Sequence, residues 1–243
     1  MENEFAKKLE ERIKPLYSSL IEKTKVFSYP KAFFCIQWGK LYPKMNNTGI
    51  LFIGRATNGW ITDLENIDIL FGDSEYSIFN RKDQMQWVED CEGNIHGYNT
   101  RKSAFWRVIK NISKSFYPEN WSAHVAWSNI CKVAPFEQGN PSDSLYYVQI
   151  ELCNQILGIE IELLSPEIIV LFTGESWAKD FLYYLTHEES PQAIKCKHWG
   201  KENQFTMKAY LINGRIYIQT EHPQGRKEDL HIQTIIETIN ELK

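Results

Sequence analysis

The 243-residue chain sets 27 lysines and arginines against 31 aspartates and glutamates, a net charge of −4 with a pI near 5.9. That balance excludes a globally basic nucleic-acid coat, so contact with a polyanion has to come from a local basic patch. A 43% hydrophobic content without an apolar run near 18 residues describes a globular chain large enough for one sizeable domain and excludes a membrane-spanning helix.

Aromatic residues are abundant, with eight tryptophans, which fits either a heavily aromatic core or faces that stack on a base or ligand. The five cysteines (Cys35, Cys91, Cys131, Cys153 and Cys196) are scattered and form no C-x-x-C. Neither a zinc ribbon nor a disulfide framework is indicated, and reduced thiols in a cytoplasmic protein are expected. The first residues, Met1-Glu2-Asn3-Glu4, lack the basic and apolar regions of a signal peptide.

Residues 4–25 place Phe5, Leu9, Ile13, Leu16 and Leu20 at helical spacing. This predicts an amphipathic helix within an N-terminal extension, residues 1–45, packed on a single domain that covers residues 1–243. Pro15 is expected to kink or split it. The apolar run 49–54 then breaks into Gly54, Arg55, Ala56, Thr57, Asn58, Gly59 and Trp60. It reads as a buried strand ending in a tight loop at a sheet edge, where open α/β sheets bind ligands.

Residues 62–100 are weakly periodic and read as a long loop, a lid or a wall of a site. Residues 102–116 return to helix, with Phe105, Val108, Ile109 and Ile112 as the buried stripe. Arg101, Lys102, Arg107, Lys110 and Lys114 supply a basic face that is either solvated or turned to phosphate.

A second strand, 124–130, ends in a loop that leads to a helix over 143–164 with Ser142 as N-cap. Ser165-Pro166 stops that helix before the β-branched run 167–174, a central strand buried on both faces. Residues 175–185 are helical. Asn213-Gly214 between two β-rich runs predicts a hairpin, and a helix from 228 closes the chain. Strand, helix, strand, helix at these lengths predicts an α/β fold, a three-layer α/β/α arrangement around a mainly parallel sheet of about four strands.

Three strand-end loops stand out, 54–60, 128–135 and 221–226, and a parallel sheet brings such ends to one edge. The middle of the chain resembles the uracil-DNA glycosylase superfamily. The resemblance rests on Trp127-Ser128-Asn129-Ile130-Cys131-Lys132, Pro135, Asn140-Pro141 and Cys153, then the run 164–171 and Gly174. The strand ending at Gly54 sits where that family carries its first motif, and His222-Pro223-Gln224-Gly225 resembles its second. The similarity covers the chain from about residue 49 onward.

The resemblance implies cleavage of the N-glycosidic bond of a uracil or damaged base in DNA. Asn129 stands where the family reads the base edge, its side chain presenting a donor and an acceptor in one plane. The plain alternative is an asparagine closing a turn. His222 stands where the family stabilises the oxygen of the departing base, or is simply a histidine satisfied within its loop. Gly54, Arg55, Ala56, Thr57 and Trp60 would line the substrate. Pro223, Gln224, Gly225 and Arg226 would approach the phosphates.

In one respect the sequence departs from the family. The first motif there carries an Asp, Asn or Glu that positions or activates water, whereas here Arg55 and Ala56 stand in those places. Asn58 is left to orient a water without taking its proton. Cys153 matches one iron–sulfur ligand position, but the paired N-terminal cysteines are missing, and Cys196 with His198 is too small a set for zinc. No cofactor or metal is expected. The partner is DNA or a nucleotide or nucleobase ligand, bound either by an active glycosylase or by a catalytically altered binding module. An unrelated small-molecule enzyme lacks its usual marks, since G-x-G-x-x-G, a P-loop lysine and a nucleophile elbow are all absent.

Overall fold

The structure, a computed structural model, describes residues 2–42, 49–58, 67–71, 84–93, 99–137 and 139–243. In chain order these form helix α1 (Glu2–Thr24), strands β1 (Lys31–Phe33), β2 (Gln37–Trp38) and β3 (Ile50–Gly54), and the short helices α2 (Ile67–Phe71) and α3 (Gln86–Asp90). Helix α4 (Ala104–Phe116), strands β4 (Val125–Asn129) and β5 (Val133–Pro135), helix α5 (Asp143–Leu164) and strand β6 (Ile168–Phe172) follow. Helix α6 (Glu175–Thr186), strands β7 (Lys195–Trp199), β8 (Phe205–Ile212) and β9 (Arg215–Thr220), and helix α7 (Glu228–Leu242) complete the chain. Among the described residues no helix is long and apolar enough to cross a membrane.

Two compact units emerge. The first comprises Met1–Gln37, Gly54–Lys82 and Ser128–Ser165. In it α1 packs along α5, burying Leu9, Ile13, Tyr17 and Leu20. Tyr17, not Leu16, completes this stripe, and its hydroxyl donates to the Phe34 carbonyl at 2.6 Å. One helix runs through Pro15, which faces solvent, so water can satisfy the carbonyl that the missing N–H leaves unpaired.

Ser142 caps α5 by accepting the Leu145 N–H. Ser165 ends the helix in a left-handed conformation (φ 48°) just before Pro166. Two turns in from the Ser142 cap, the Gln149 carboxamide pairs with both backbone groups of Val133 at 2.8 and 2.9 Å, tying α5 to the small antiparallel β1–β5 sheet.

Deeper in this unit, Lys132 and Glu160 form an ion pair with neither side chain exposed. Lys132 Nζ donates to Glu160 Oε2 at 2.8 Å and to Ser128 Oγ at 2.6 Å, and Ser128 donates to the same carboxylate at 2.7 Å. Burial pushes the Glu160 carboxyl up, against the pull of Lys132 and Ser128.

The second unit comprises Trp38–Ile53, Asp83–Trp127 and Pro166–Lys243 and carries a seven-stranded sheet in the order β2-β4-β3-β6-β9-β8-β7. The central pairings β3/β6 and β6/β9 are parallel, with Leu171 opposite Ile53 on one side and Gln219 on the other. β6 is buried throughout, and Phe172 stacks on Phe52 at 5.9 Å. Asn213 and Gly214, at φ 51° and 76°, make the two-residue hairpin turn between β8 and β9.

The sheet thus has seven strands where about four were expected. The main addition, β7, is an edge strand whose Lys195 and Lys197 pair with Glu241, so its charged outer face hides the strand pattern. Of residues 62–100, expected as one loop, the described parts include the helical turns of α2 and α3.

At the heart of the unit lies His231 of α7, fully buried. It stacks on Trp199 at 3.9 Å, meets Phe172 edge-on, and shares a 2.9 Å hydrogen bond between Nε2 and the Thr220 hydroxyl. Burial, with lesser contributions from His222 and Arg226, pushes its pKa down to about 3.

Two predictions concern these buried groups. Lys132→Met alone strands the Glu160 charge and should lower unfolding free energy by about 3–5 kcal/mol, whereas Lys132→Met with Glu160→Leu should recover most of it. Urea unfolding measures both, and equal losses in the two variants would contradict the buried-charge account. His231 stays neutral in the folded protein while the unfolded chain takes a proton near pH 6.5. Its contribution to stability is therefore complete above that pH and is lost as pH falls toward 3, by up to about 1.4 kcal/mol per unit. Denaturation midpoints between pH 4 and 8 should show a shallower pH dependence for His231→Gln; an unchanged slope would refute this.

Candidate active-site loops

The first and second strand-end loops are joined within one unit. The Gly54 carbonyl accepts the Ile130 N–H at 2.9 Å and the Arg55 carbonyl accepts the Cys131 N–H at 2.8 Å. These bonds continue the pairing of β3 and β4 beyond their ends and hold residues 54–58 against 128–132. Gly54 is buried, Arg55 and Ala56 are half-buried, and Asn58 is exposed. Gly59 and Trp60 lie outside the described residues.

Three polar side chains give this pair of loops its chemistry. Asn129 is 1% exposed, and its Nδ2 finds no hydrogen-bond partner among the described residues. Thr57, also buried, leaves its hydroxyl without one among the same residues. Buried polar groups are normally satisfied, so each calls for a partner from beyond the described residues. Asn58 Oδ1 accepts the Gly139 N–H at 3.0 Å, so its acceptor is committed to pinning the 139 loop. No carboxylate stands on residues 54–58.

Lys132, Ser128 and Glu160 underlie this arrangement. Ser128 immediately precedes Asn129, and Lys132 closes the same loop, so the buried ion pair fixes the backbone on both sides of the asparagine. Cys153 is a core residue whose sulfur accepts the Lys132 N–H at 3.3 Å. Among the described residues, no group of three or more His, Cys, Asp or Glu side chains is placed to hold a metal ion.

The third loop, after β9, belongs to the second unit. His222 Nδ1 accepts the Gln224 backbone N–H at 3.2 Å, which assigns the ring proton of the neutral imidazole to Nε2. Pro223 is buried, Gln224 and Gly225 are exposed, and the Arg226 N–H closes a turn onto the Pro223 carbonyl at 3.1 Å. Gly225 sits at φ 74° with open space where a Cβ would stand, so it is the turn conformation rather than crowding that asks for glycine. Arg226 is turned inward: it pairs with Glu221 at 3.2 Å and lies 4.3 Å over the Phe205 ring. The His231–Thr220 bond anchors the chain two residues ahead of His222.

Two residues of this loop's surroundings were not legible as site residues. Phe105, expected in the buried stripe of α4, is half-exposed and stacks on His222 with centroids 5.8 Å apart and planes 14° from parallel. The adjacent Trp106 is buried instead. Ser103 caps the helix by accepting the Trp106 N–H, and that start sets which residue turns inward. For His231 the sequence offered no signal beyond its place in the last helix.

No curated protein matches the chain. The profile of the Uracil DNA glycosylase superfamily matches residues 42–242, a span that includes all three loops. The chain belongs to the uracil DNA glycosylase superfamily.

Proposed function

We propose that the protein is a DNA N-glycosylase that hydrolyses the bond between deoxyribose and a uracil or otherwise damaged base. Its reaction leaves negative charge on the departing base and positive charge on the sugar, and the base has to leave the stack to be reached. The observation that carries this reading is the hydrogen bond from the Gln224 N–H to His222 Nδ1. With Nδ1 engaged by Gln224, the imidazole carries its proton on Nε2, the kind of donor that a developing carbonyl oxyanion requires.

Asn129 supports the same reading, because a buried carboxamide N–H₂ with no partner among the described residues can donate to a carbonyl oxygen on a pyrimidine edge. Phe105 adds an aromatic face on which a flipped base can stack. Water activation follows a different course from general-base catalysis. With no carboxylate on the first loop, the Asn58 amide and the Thr57 hydroxyl orient the water, and the cationic sugar draws it in as the base departs.

With this reading goes the finer architecture expected from the sequence: a three-layer α/β/α domain spanning the chain, with residues 1–45 as a helical extension, in a cytoplasmic protein acting on DNA. The missing carboxylate favours a second reading, a module that binds a damaged base or nucleotide without cleaving it.

Single-turnover assays on oligonucleotides containing uracil, hypoxanthine or xanthine decide between the two. Release by the wild type should fall about 10²–10³-fold in His222→Ala, the usual cost of one oxyanion donor, and comparably in Asn129→Ala. Binding without release across the whole panel would leave the module reading and refute the glycosylase.

A further inference from the structure

The basic side chains at the start of α4 fall into two groups. Arg107 is committed: Nε bonds to Glu228 at 2.9 Å, Nη2 to the same carboxylate, and Nη1 to the Arg101 carbonyl at 2.7 Å. It braces α4 against α7.

Arg101 and Lys110 behave differently, because both converge on one carboxylate. Arg101 Nε donates to Glu92 at 3.2 Å and Lys110 Nζ donates to its other oxygen. Two cations on one anion leave a surplus positive charge. Both Nη groups of Arg101 and the remaining Lys110 N–H bonds have no hydrogen-bond partner among the described residues. Burial raises the Glu92 pKa, but Lys110 and Arg101 outweigh it and hold the group below the ordinary carboxylate range. Glu92 is therefore ionised at neutral pH and orders both cations without neutralising both.

These side chains rim a cavity of about 360 Å³ with Val88, Trp106 and Trp121 among its walls. That volume lies in the range of ligand sites, and apolar walls beside a cationic rim strengthen attraction for an anion. We propose that this cavity is a phosphate site that takes a phosphodiester of the nucleic-acid strand. The Arg101 fork matches two phosphate oxygens and Lys110 adds a point charge. In a chain of net charge −4, such a surplus is what a polyanion can find.

Its position suits a strand. Trp106 walls the cavity and its neighbour Phe105 stacks on His222, so the start of α4 serves both the cavity and the third loop. The proposal rests on the reading of DNA as ligand, but not on cleavage.

The test is equilibrium binding of a uracil-free single-stranded oligonucleotide between about 50 and 200 mM salt. Arg101→Ala and Lys110→Ala should each weaken binding equally on every sequence and reduce the slope of log K against log salt by about one. Lys179→Ala, an exposed cation on α6 outside this cavity, should leave the slope unchanged, and melting curves establish that each variant is folded.

Unchanged slopes in both cavity variants, with DNA still bound, would overturn the phosphate site and leave the DNA reading intact. Absence of any DNA binding by the wild type would overturn both. If dTMP alone competes as well as the strand does, the cavity takes a free nucleotide and the strand assignment fails.

Discussion

The arrangement depends on one strand. β6 is buried along its whole length and pairs in parallel with β3 on one side and β9 on the other. Because Leu171 lies level with both Ile53 and Gln219, β3 and β9 run out at the same edge of the sheet. Parallel pairing requires long crossover connections, and the intervening helices supply them. A charged or bulky intrusion in β6 would disturb both neighbouring strands at once, since neither is paired directly with the other.

Much of this was legible because hydrophobic periodicity and end signals agreed. The helix over 143–164, its serine cap and its Ser165-Pro166 stop emerge as read, and so does the Asn213-Gly214 hairpin. Each of those signals is local, set by one residue's preferred backbone or by one side-chain bond. The misreadings share the opposite character. β7 is stabilised by cross-strand bonds to β8 and by ion pairs to α7, neither of which leaves a pattern in its own five residues. Pro15 breaks the helix rule only in sequence, because its exposed position lets solvent take up the unmet carbonyl.

The loops show the same division. That Asn129 and His222 follow strand ends could be read directly, but not what each is bonded to. Asn58 has the composition of a water-orienting residue, yet its acceptor is used by Gly139, a residue 81 positions away. The buried Lys132–Glu160 pair spans 28 positions and joins a loop to the C-terminal turns of α5. Such a pair contributes little net stability compared with a hydrophobic replacement, but it gives the loop one low-energy geometry rather than several. Asn129 thus sits on a segment whose position is specified electrostatically.

The His222–Phe105 stack has a consequence for affinity. The imidazole already covers the aromatic face, so that face is not a greasy patch open to other proteins. A planar ligand arriving there exchanges one stacking partner for another, and gains only the difference between the two. Such a swap disfavours tight retention of a planar ligand on that face. It also makes the imidazole's orientation responsive to occupancy of the stack.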